Sequence, residues 1–215
     1  MEFNIIDREN WQRKEYFEHY LQQQTTFSMT NAINITILMK NLNKKQFKLY
    51  PAFIYIITRI VNSHKEFRTC FDSEGKLGYW TEVLPSYTIF DKETCTFSDI
   101  WSSNPTTFPE FNFQYKKDVE KYSGTGTMFP KTPIPENSIP ISMIPWSSFT
   151  GFNLNINNGG DYLLPIITGG KYCQVNGELF LPVSLQIHHA VCDGYHASIF
   201  MNEFQRLANE SIEWL

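Results

Sequence analysis

Apolar positions recur along this chain in two rhythms, and the changes of rhythm mark its elements. From Arg8 to Gln24, Trp11, Tyr16, Phe17, Tyr20 and Leu21 stand three and four residues apart, with Arg13, Lys14, Glu15 and Glu18 between them. That spacing predicts a helix with Asp7 as its N-cap. NAINITILM, residues 31–39, alternates Ile and Leu with Asn and Thr at period two and predicts a half-buried strand. YPAFIYIITRIVNSH, residues 50–64, is apolar nearly all round and carries a Pro in its first turn, which predicts a helix packed on a sheet.

Between Leu77 and Asp91 the pattern predicts two strands, LGYWTEV and YTIFD, joined through a Pro-Ser turn, then a short helical piece over Phe97 to Ser102. EFNFQYKKDVEKY, bracketed by Pro109 and Gly124, predicts another helix. FPKTPIPENSIPISMIPW holds five prolines in eighteen residues, too many for a helix or a central strand, and is expected to be a connection. Its Phe129, Ile134, Ile139, Ile141, Met143, Ile144 and Trp146 are too apolar for a solvated linker. FNLNI, DYLLPIITGGKYCQ and ELFLPVSLQIHH then read as strands, the last two joined by an Asn176-Gly177 hairpin turn. Asp193 opens a final helix in which Ala197, Phe200, Met201, Phe204, Leu207 and Ala208 recur at helical spacing. The expected class is α/β or α+β, with residues 1–215 as a single domain around one sizeable core.

Composition narrows the partners. The net charge is −4 with Lys and Arg scattered, so the basic footprint of a nucleic-acid binder is missing. No run approaches the ~20 apolar residues that span a bilayer, and the N-terminal MEFNIIDREN lacks an apolar h-region, so a soluble cytoplasmic protein is expected. Cys70, Cys95, Cys173 and Cys192 are widely spaced and form no CxxC pair, which suits reduced thiols.

Candidate chemistry collects at HHAVCDGYH, which holds three of the five histidines where a long strand gives way to a helix. Imidazole titrates near cytoplasmic pH, and a histidine at such a junction can serve as a general base. Neighbours on a strand point to opposite faces, so His188 and His189 cannot share one site, and one of them is structural. The same geometry weighs against a metal site made from His188, His189, Cys192, Asp193 and His196, whose spacing matches no common zinc pattern. Read locally, Asp193 caps the helix or forms an ion pair, Arg13 is a solvated charge, and Trp146 belongs to the core.

HHAVCDGYH resembles the HHxxxDG motif of the coenzyme A-dependent acyltransferases. NWQRKEYFEHY, KLYPAFIYII, HKEFRTCFD, LGYWTEVLPSYTIFDKETCTFSDIW, ISMIPWSSFTGFNLNI, YLLPIITGGKY and LPVSLQIHHAVCDGYH together resemble the chloramphenicol acetyltransferase family, in order and over most of the chain. The resemblance implies acetyl transfer from acetyl-CoA, as co-substrate and without a metal, to the primary hydroxyl of chloramphenicol, which confers antibiotic resistance. It also implies an α/β (α+β) two-layer sandwich, a mixed β-sheet flanked by helices, and a homotrimer with active sites at subunit interfaces. His189 matches the family's base, Ser142 the donor to the oxyanion, and Thr168 a threonine that holds a water near it. Asp193 and Arg13 match the pair that orients the site. Tyr20, Phe27, Phe97, Phe129, Phe152, Leu154, Tyr162 and Ile166 match acceptor-pocket positions, and Trp146, Lys171 and Tyr172 match coenzyme positions.

The chain departs from the family's pattern at Thr25, where cysteine is frequent, at Gly169, where a larger apolar residue is common, and at Tyr195, which replaces a phenylalanine. Two other functions remain as alternatives. An acyltransferase core acting on a lipoyl thiol would form a larger assembly, usually with a lipoyl domain and an Ala/Pro linker that this sequence does not show. A trimeric drug-binding protein without turnover would need no base or oxyanion donor.

Overall fold

The computed structural model describes residues 2–154, 156 and 160–215. In chain order the elements are β1 (Phe3–Ile5), α1 (Lys14–Gln22), β2 (Thr26–Asn34), α2 (Thr36–Lys45), α3 (Leu49–Ser63), β3 (Thr69–Phe71), β4 (Leu77–Trp80) and β5 (Leu84–Asp91). There follow β6 (Thr96–Trp101), α4 (Phe108–Tyr122), β7 (Ser138–Met143), β8 (Ile166–Gly169), β9 (Cys173–Val175), β10 (Glu178–His188), α5 (Gly194–Asn209) and α6 (Ser211–Trp214). A seven-stranded sheet runs β2-β10-β8-β7-β5-β6, with β9 paired to one end of β10 and β2 at an edge. β7 lies parallel to both β5 and β8, and the other pairs are antiparallel, so the sheet is mixed as expected. A small sheet, β1-β4-β3, stands beside it. Gly78 in β4 is needed there, because a Cβ would come within 2.5 Å of the Asn4 carbonyl oxygen and the Phe3 ring.

α3 is the centre of the core. Residues 51–58, Ile60 and Val61 are all buried, and the helix packs against α4, α5 and β5. Its buried hydroxyls are satisfied locally: Thr58 Oγ1 donates to the Ile54 carbonyl at 2.8 Å, and Tyr55 OH to the Thr106 carbonyl at 3.1 Å. At the other end of the chain, Asn176 and Gly177 take φ of 51° and 85°, the pair of positive values that a two-residue hairpin turn requires.

Pro85 and Ser86 do not turn the chain but lie inside β5, and four other sequence expectations need correction. The predicted helix from Arg8 to Gln24 is interrupted: Asp7 Oδ1 accepts from Glu9 N and caps a short 3-10 turn over Arg8–Asn10, Trp11 is extended, and α1 starts afresh after Arg13. NAINITILM is not one strand. Asn34 Oδ1 accepts from the Thr36 backbone N–H at 3.0 Å and from its hydroxyl at 2.7 Å, an Asx-type turn that ends β2 and launches α2. The stretch near Phe97 to Ser102 is strand β6, with a period-two pattern too short to be decisive alone. The proline-rich stretch does enter the middle of the sheet as β7. Pro140 is tolerated because its pairing with β8 begins only at Ile141.

A further expectation fails in part. The described residues of FNLNI form no strand, and Asn155 lies outside the described residues. Instead of a ladder, this segment bonds to side chains: Leu154 N donates to Gln186 Oε1 at 2.7 Å, and Ser184 Oγ donates to the Phe152 carbonyl.

Directly paired residues share a face of the sheet, and the registers therefore sort the large sheet into two unlike sides. Tyr87, Ile100, Ile141, Ile167 and Leu185 fall on one side and are buried under the helices. The other side carries Thr30, Ser184, Thr168 and Ser142 in one row. Segment 127–131 covers β6 and is pinned there. Asp99 N donates to the Met128 carbonyl at 2.7 Å, and Trp101 Nε1 to the Lys131 carbonyl at 3.2 Å. The Lys131 ammonium sits 3.0 Å from the buried Asp118 carboxylate and 4.4 Å from the Trp101 ring centroid. Among the described residues no helix is long and apolar enough to cross a membrane.

Candidate active site

The break before α1 matters because it aims Arg13 across the chain. Its guanidinium donates from Nε to the Ala190 carbonyl at 2.8 Å, from Nη2 to the His189 carbonyl at 3.0 Å and from Nη1 to Asp193 Oδ2 at 3.1 Å. Far from a solvated surface charge, it fixes the turn after β10 with a fork that only arginine supplies. Asp193 is both things the local reading allowed, a helix cap and an ion-pair partner. Its Oδ1 accepts from Tyr195 N at 3.0 Å, and its own N–H donates to His196 Nδ1 at 3.2 Å.

The two adjacent histidines divide as strand geometry predicts. His188 is buried on the polar side of the sheet, with Nδ1 accepting from Ala190 N at 3.1 Å. Burial, with a smaller contribution from His189, pushes its pKa down, and it stays neutral as a structural residue. His189 is held from several sides. Its N–H donates to the Thr25 carbonyl at 2.8 Å, and Thr25 N donates to the Tyr20 carbonyl at 3.1 Å. Its ring stacks flat on Tyr20 at 3.8 Å and 7°, with Phe27 at 5.2 Å. Nδ1 is buried and has no hydrogen-bond partner among the described residues.

No cysteine competes as a nucleophile at this junction. Cys192 lies within the motif, but burial pushes its thiol far above the usual range, and Cys70 is pushed up to about 11 for the same reason.

Burial raises the Asp193 carboxyl, but the bond from Arg13 and the nearby His196 outweigh it, and the net pKa lies below the ordinary carboxylate value. The sign follows by linkage. A depressed folded-state pKa stabilises the fold above the unfolded value of ~3.9, and that contribution disappears as pH falls through the folded value. Asp193→Asn is therefore expected to lower stability at neutral pH and to flatten its acid dependence below about pH 4. Urea melts at pH 7 and pH 3 check this; equal loss at both would show that the ion pair contributes nothing.

A second group lies elsewhere on the sheet. Ser142 Oγ and Thr168 Oγ1 are 3.0 Å apart, on adjacent parallel strands β7 and β8. In register, Thr168 faces Ser184 on β10. His189 lies five residues beyond Ser184 and two strands from Ser142. At ~3.3 Å per residue and ~4.8 Å per strand, that separation is about 19 Å. One chain does not bring its Ser142 to its own His189.

The remaining expected site residues fall into three places. Tyr20 and Phe27 stand against His189. Phe97 and Ile166 occupy the Ser142 side of the sheet; Phe129 belongs to the segment over β6, and Phe152 and Leu154 to the segment over β10. Tyr162 is largely buried, and its hydroxyl is pushed well above its usual range. The coenzyme candidates gather beyond β7: Lys171 N donates to the Ser147 carbonyl at 2.9 Å, and Tyr172 and Trp146 are exposed beside them. Trp146 is 61% exposed, so it is not a core residue; its ring meets Phe90 edge-on at 4.6 Å.

Two of the departures have local explanations. A Cβ on Gly169 would come within 2.9 Å of Phe53 and 3.1 Å of Met143, so Phe53 already fills the space. Tyr195 is 71% exposed, so its hydroxyl meets water.

Residues 1–205 match the model of the family described as Chloramphenicol acetyltransferase. A chloramphenicol acetyltransferase of Staphylococcus aureus is 56% identical to this chain, and each is covered over 100% of its length. Among solved structures, a chloramphenicol acetyltransferase aligns with a TM-score of 0.85 at 22% identity, covering 96% of this chain and 100% of that one. Dihydrolipoamide acetyltransferase of Azotobacter vinelandii shares the fold at TM-score 0.69 and 14% identity, covering 93% and 87%. A clamped histidine at the end of one strand and a hydroxyl pair on two others thus sit in a fold and sequence that agree from end to end: the chain belongs to the chloramphenicol acetyltransferase family.

Proposed function

We propose that this chain, acting as one domain, is a cytoplasmic chloramphenicol O-acetyltransferase that works as a homotrimer and draws each active site from two subunits. Family membership supports the reaction. The observation that carries the mechanism is His189: its backbone is fixed by Arg13 and Thr25, its ring by Tyr20, and its buried Nδ1 leaves Nε2 for chemistry. Nε2 takes the proton of the acceptor's primary hydroxyl while that oxygen attacks the thioester carbonyl of acetyl-CoA. The carbonyl π electrons move to oxygen, and the hydroxyl of Ser142 donates to the oxyanion. Thr168 holds a water beside it. Collapse breaks the C–S bond, the imidazolium returns its proton to sulfur, and the products are the acetyl ester and free CoA. No acyl-enzyme forms.

The ~19 Å between Ser142 and His189 of one chain supports the shared site. His189 of one subunit would meet Ser142, Thr168 and the acceptor pocket of the next, with acetyl-CoA entering along Trp146, Lys171 and Tyr172. Complementation tests this arrangement. Ser142→Ala and His189→Ala, each nearly inactive alone, are unfolded together, refolded as a mixture and assayed for chloramphenicol-dependent CoA thiol release. About a quarter of the interfaces in a random closed ring would pair an intact serine with an intact histidine. Activity should return in that proportion; none above the separate variants would sink the shared site.

Substrate chemistry gives a second test. A chloramphenicol analogue with fluorine in place of the primary hydroxyl offers Nε2 no proton, and CoA release should stay at background. Turnover of that analogue would break the mechanism.

A further inference from the structure

Strand β6 carries one acidic residue onto the side of the sheet that holds Ser142. Phe97, Asp99 and Trp101 alternate onto one side of it, and their partners across β5 are Phe90, Thr88 and Ser86. The β5–β7 register places Ser86 opposite Pro140 and Tyr87 opposite Ile141, so Thr88 continues the row toward Ser142. Asp99 therefore lies on the Ser142 side, two strands away, at about 9–10 Å between backbones.

The carboxylate is fixed but incompletely used. Ser86, itself buried, donates its hydroxyl to Asp99 Oδ1. The second oxygen accepts no hydrogen bond from the described residues, and no cation pairs with it among them. Asp99 is half-buried, shares its side of β6 with Phe97 and Trp101, and is bonded through its backbone to the segment carrying Phe129. Burial pushes its pKa up, against the opposing bond from Ser86. A partly desolvated carboxylate with an open oxygen in aromatic surroundings is costly for the protein alone and gains when a donor arrives.

We propose that Asp99, held by Ser86, is an acceptor-binding residue, whose open oxygen accepts a hydrogen bond from a polar hydrogen of the acceptor other than the reacting hydroxyl. The proposal rests on the acetyltransferase reading above and deepens it. Asp99 makes the pocket discriminate between an acceptor that carries a further hydroxyl or amide N–H and a simple aryl alcohol, since a site built for a donor rejects ligands that lack one.

The test uses Asp99→Asn and Asp99→Ala in the intact assembled protein. Asparagine keeps an oxygen for Ser86 but turns the open position into a donor, so the fold is preserved while the ligand contact is lost. Steady-state constants are measured for chloramphenicol, for acetyl-CoA and for 2-(4-nitrophenyl)ethanol, a primary alcohol with no other polar hydrogen. Both variants should raise the KM for chloramphenicol by about 10- to 100-fold. The acetyl-CoA KM, the kcat and the poor kcat/KM for the simple alcohol should change less than twofold. An unchanged chloramphenicol KM in the asparagine variant overturns the inference, as does an equal loss toward both acceptors, which would mark Asp99 as structural. Wild-type protein that releases no CoA with chloramphenicol would overturn the functional reading, and this inference with it.

Discussion

His189→Ala is expected to lower kcat for chloramphenicol-dependent CoA release by about 10²- to 10⁴-fold, the contribution typical of a positioned general base. The KM for acetyl-CoA should stay within a few-fold, because the coenzyme candidates Trp146, Lys171 and Tyr172 lie beyond β7 and not at the end of β10. The backbone contacts of residue 189 do not depend on its side chain: the N–H to Thr25 and the carbonyl to Arg13 survive in alanine. What is lost is the ring, together with its stacking on Tyr20. A circular dichroism spectrum and melting temperature near those of the wild type would show that the loss is chemical. Release that persists at wild-type rate in this variant would remove His189 from the mechanism.

Ser142→Ala is the second large effect. The lost donor should cost about 2.7–4 kcal/mol of transition-state stabilisation, or about 10²- to 10³-fold in kcat. Both KM values should remain within a few-fold, since the bond to an oxyanion is made only as charge develops. The fold should tolerate the change. Ser142 is not fully buried, and its partner Thr168 Oγ1 keeps its place on the buried strand β8. The two variants differ in one diagnostic way: removal of the base should steepen the response to added alkali, whereas removal of the oxyanion donor should not. A fall of less than tenfold for Ser142→Ala would move the oxyanion contact to another donor.

How far the sequence reached depended on whether the cause was local. α3, α4, the Asn176-Gly177 turn and the cap of α5 by Asp193 were all legible, because each is decided by a few neighbouring residues. β6 is not legible in the same way, because six residues give too few periods to separate a strand from a helix. The Asx turn at Asn34 hid the change from β2 to α2 within an unbroken alternation of Ile with Asn and Thr. Pro140 argued against a central strand, and only the delayed pairing with β8 shows why the strand survives it.

The site divided in the same way. The spacing of HHAVCDGYH identified a junction and separated His188 from His189, but nothing local tied Arg13 to carbonyls 176 and 177 residues away. Ser142 and Thr168 are legible through the family resemblance alone, and Asp99 joins their side of the sheet only when β8, β7, β5 and β6 are laid side by side. The signal for Asp99 is its period-two relation to Phe97, which carries meaning only once β6 is a strand.

The edge strand β2 governs how the protein fails when heated. Its nine residues, TFSMTNAIN, contain no proline and no charge, the usual guards on an open sheet edge. Among the described residues the outer edge of β2 pairs with no strand, and open edges of this kind template pairing with other chains. Thermal inactivation should therefore end in aggregates, accelerate with protein concentration and vary with heating rate, so that survival at high temperature is a lifetime and not an equilibrium.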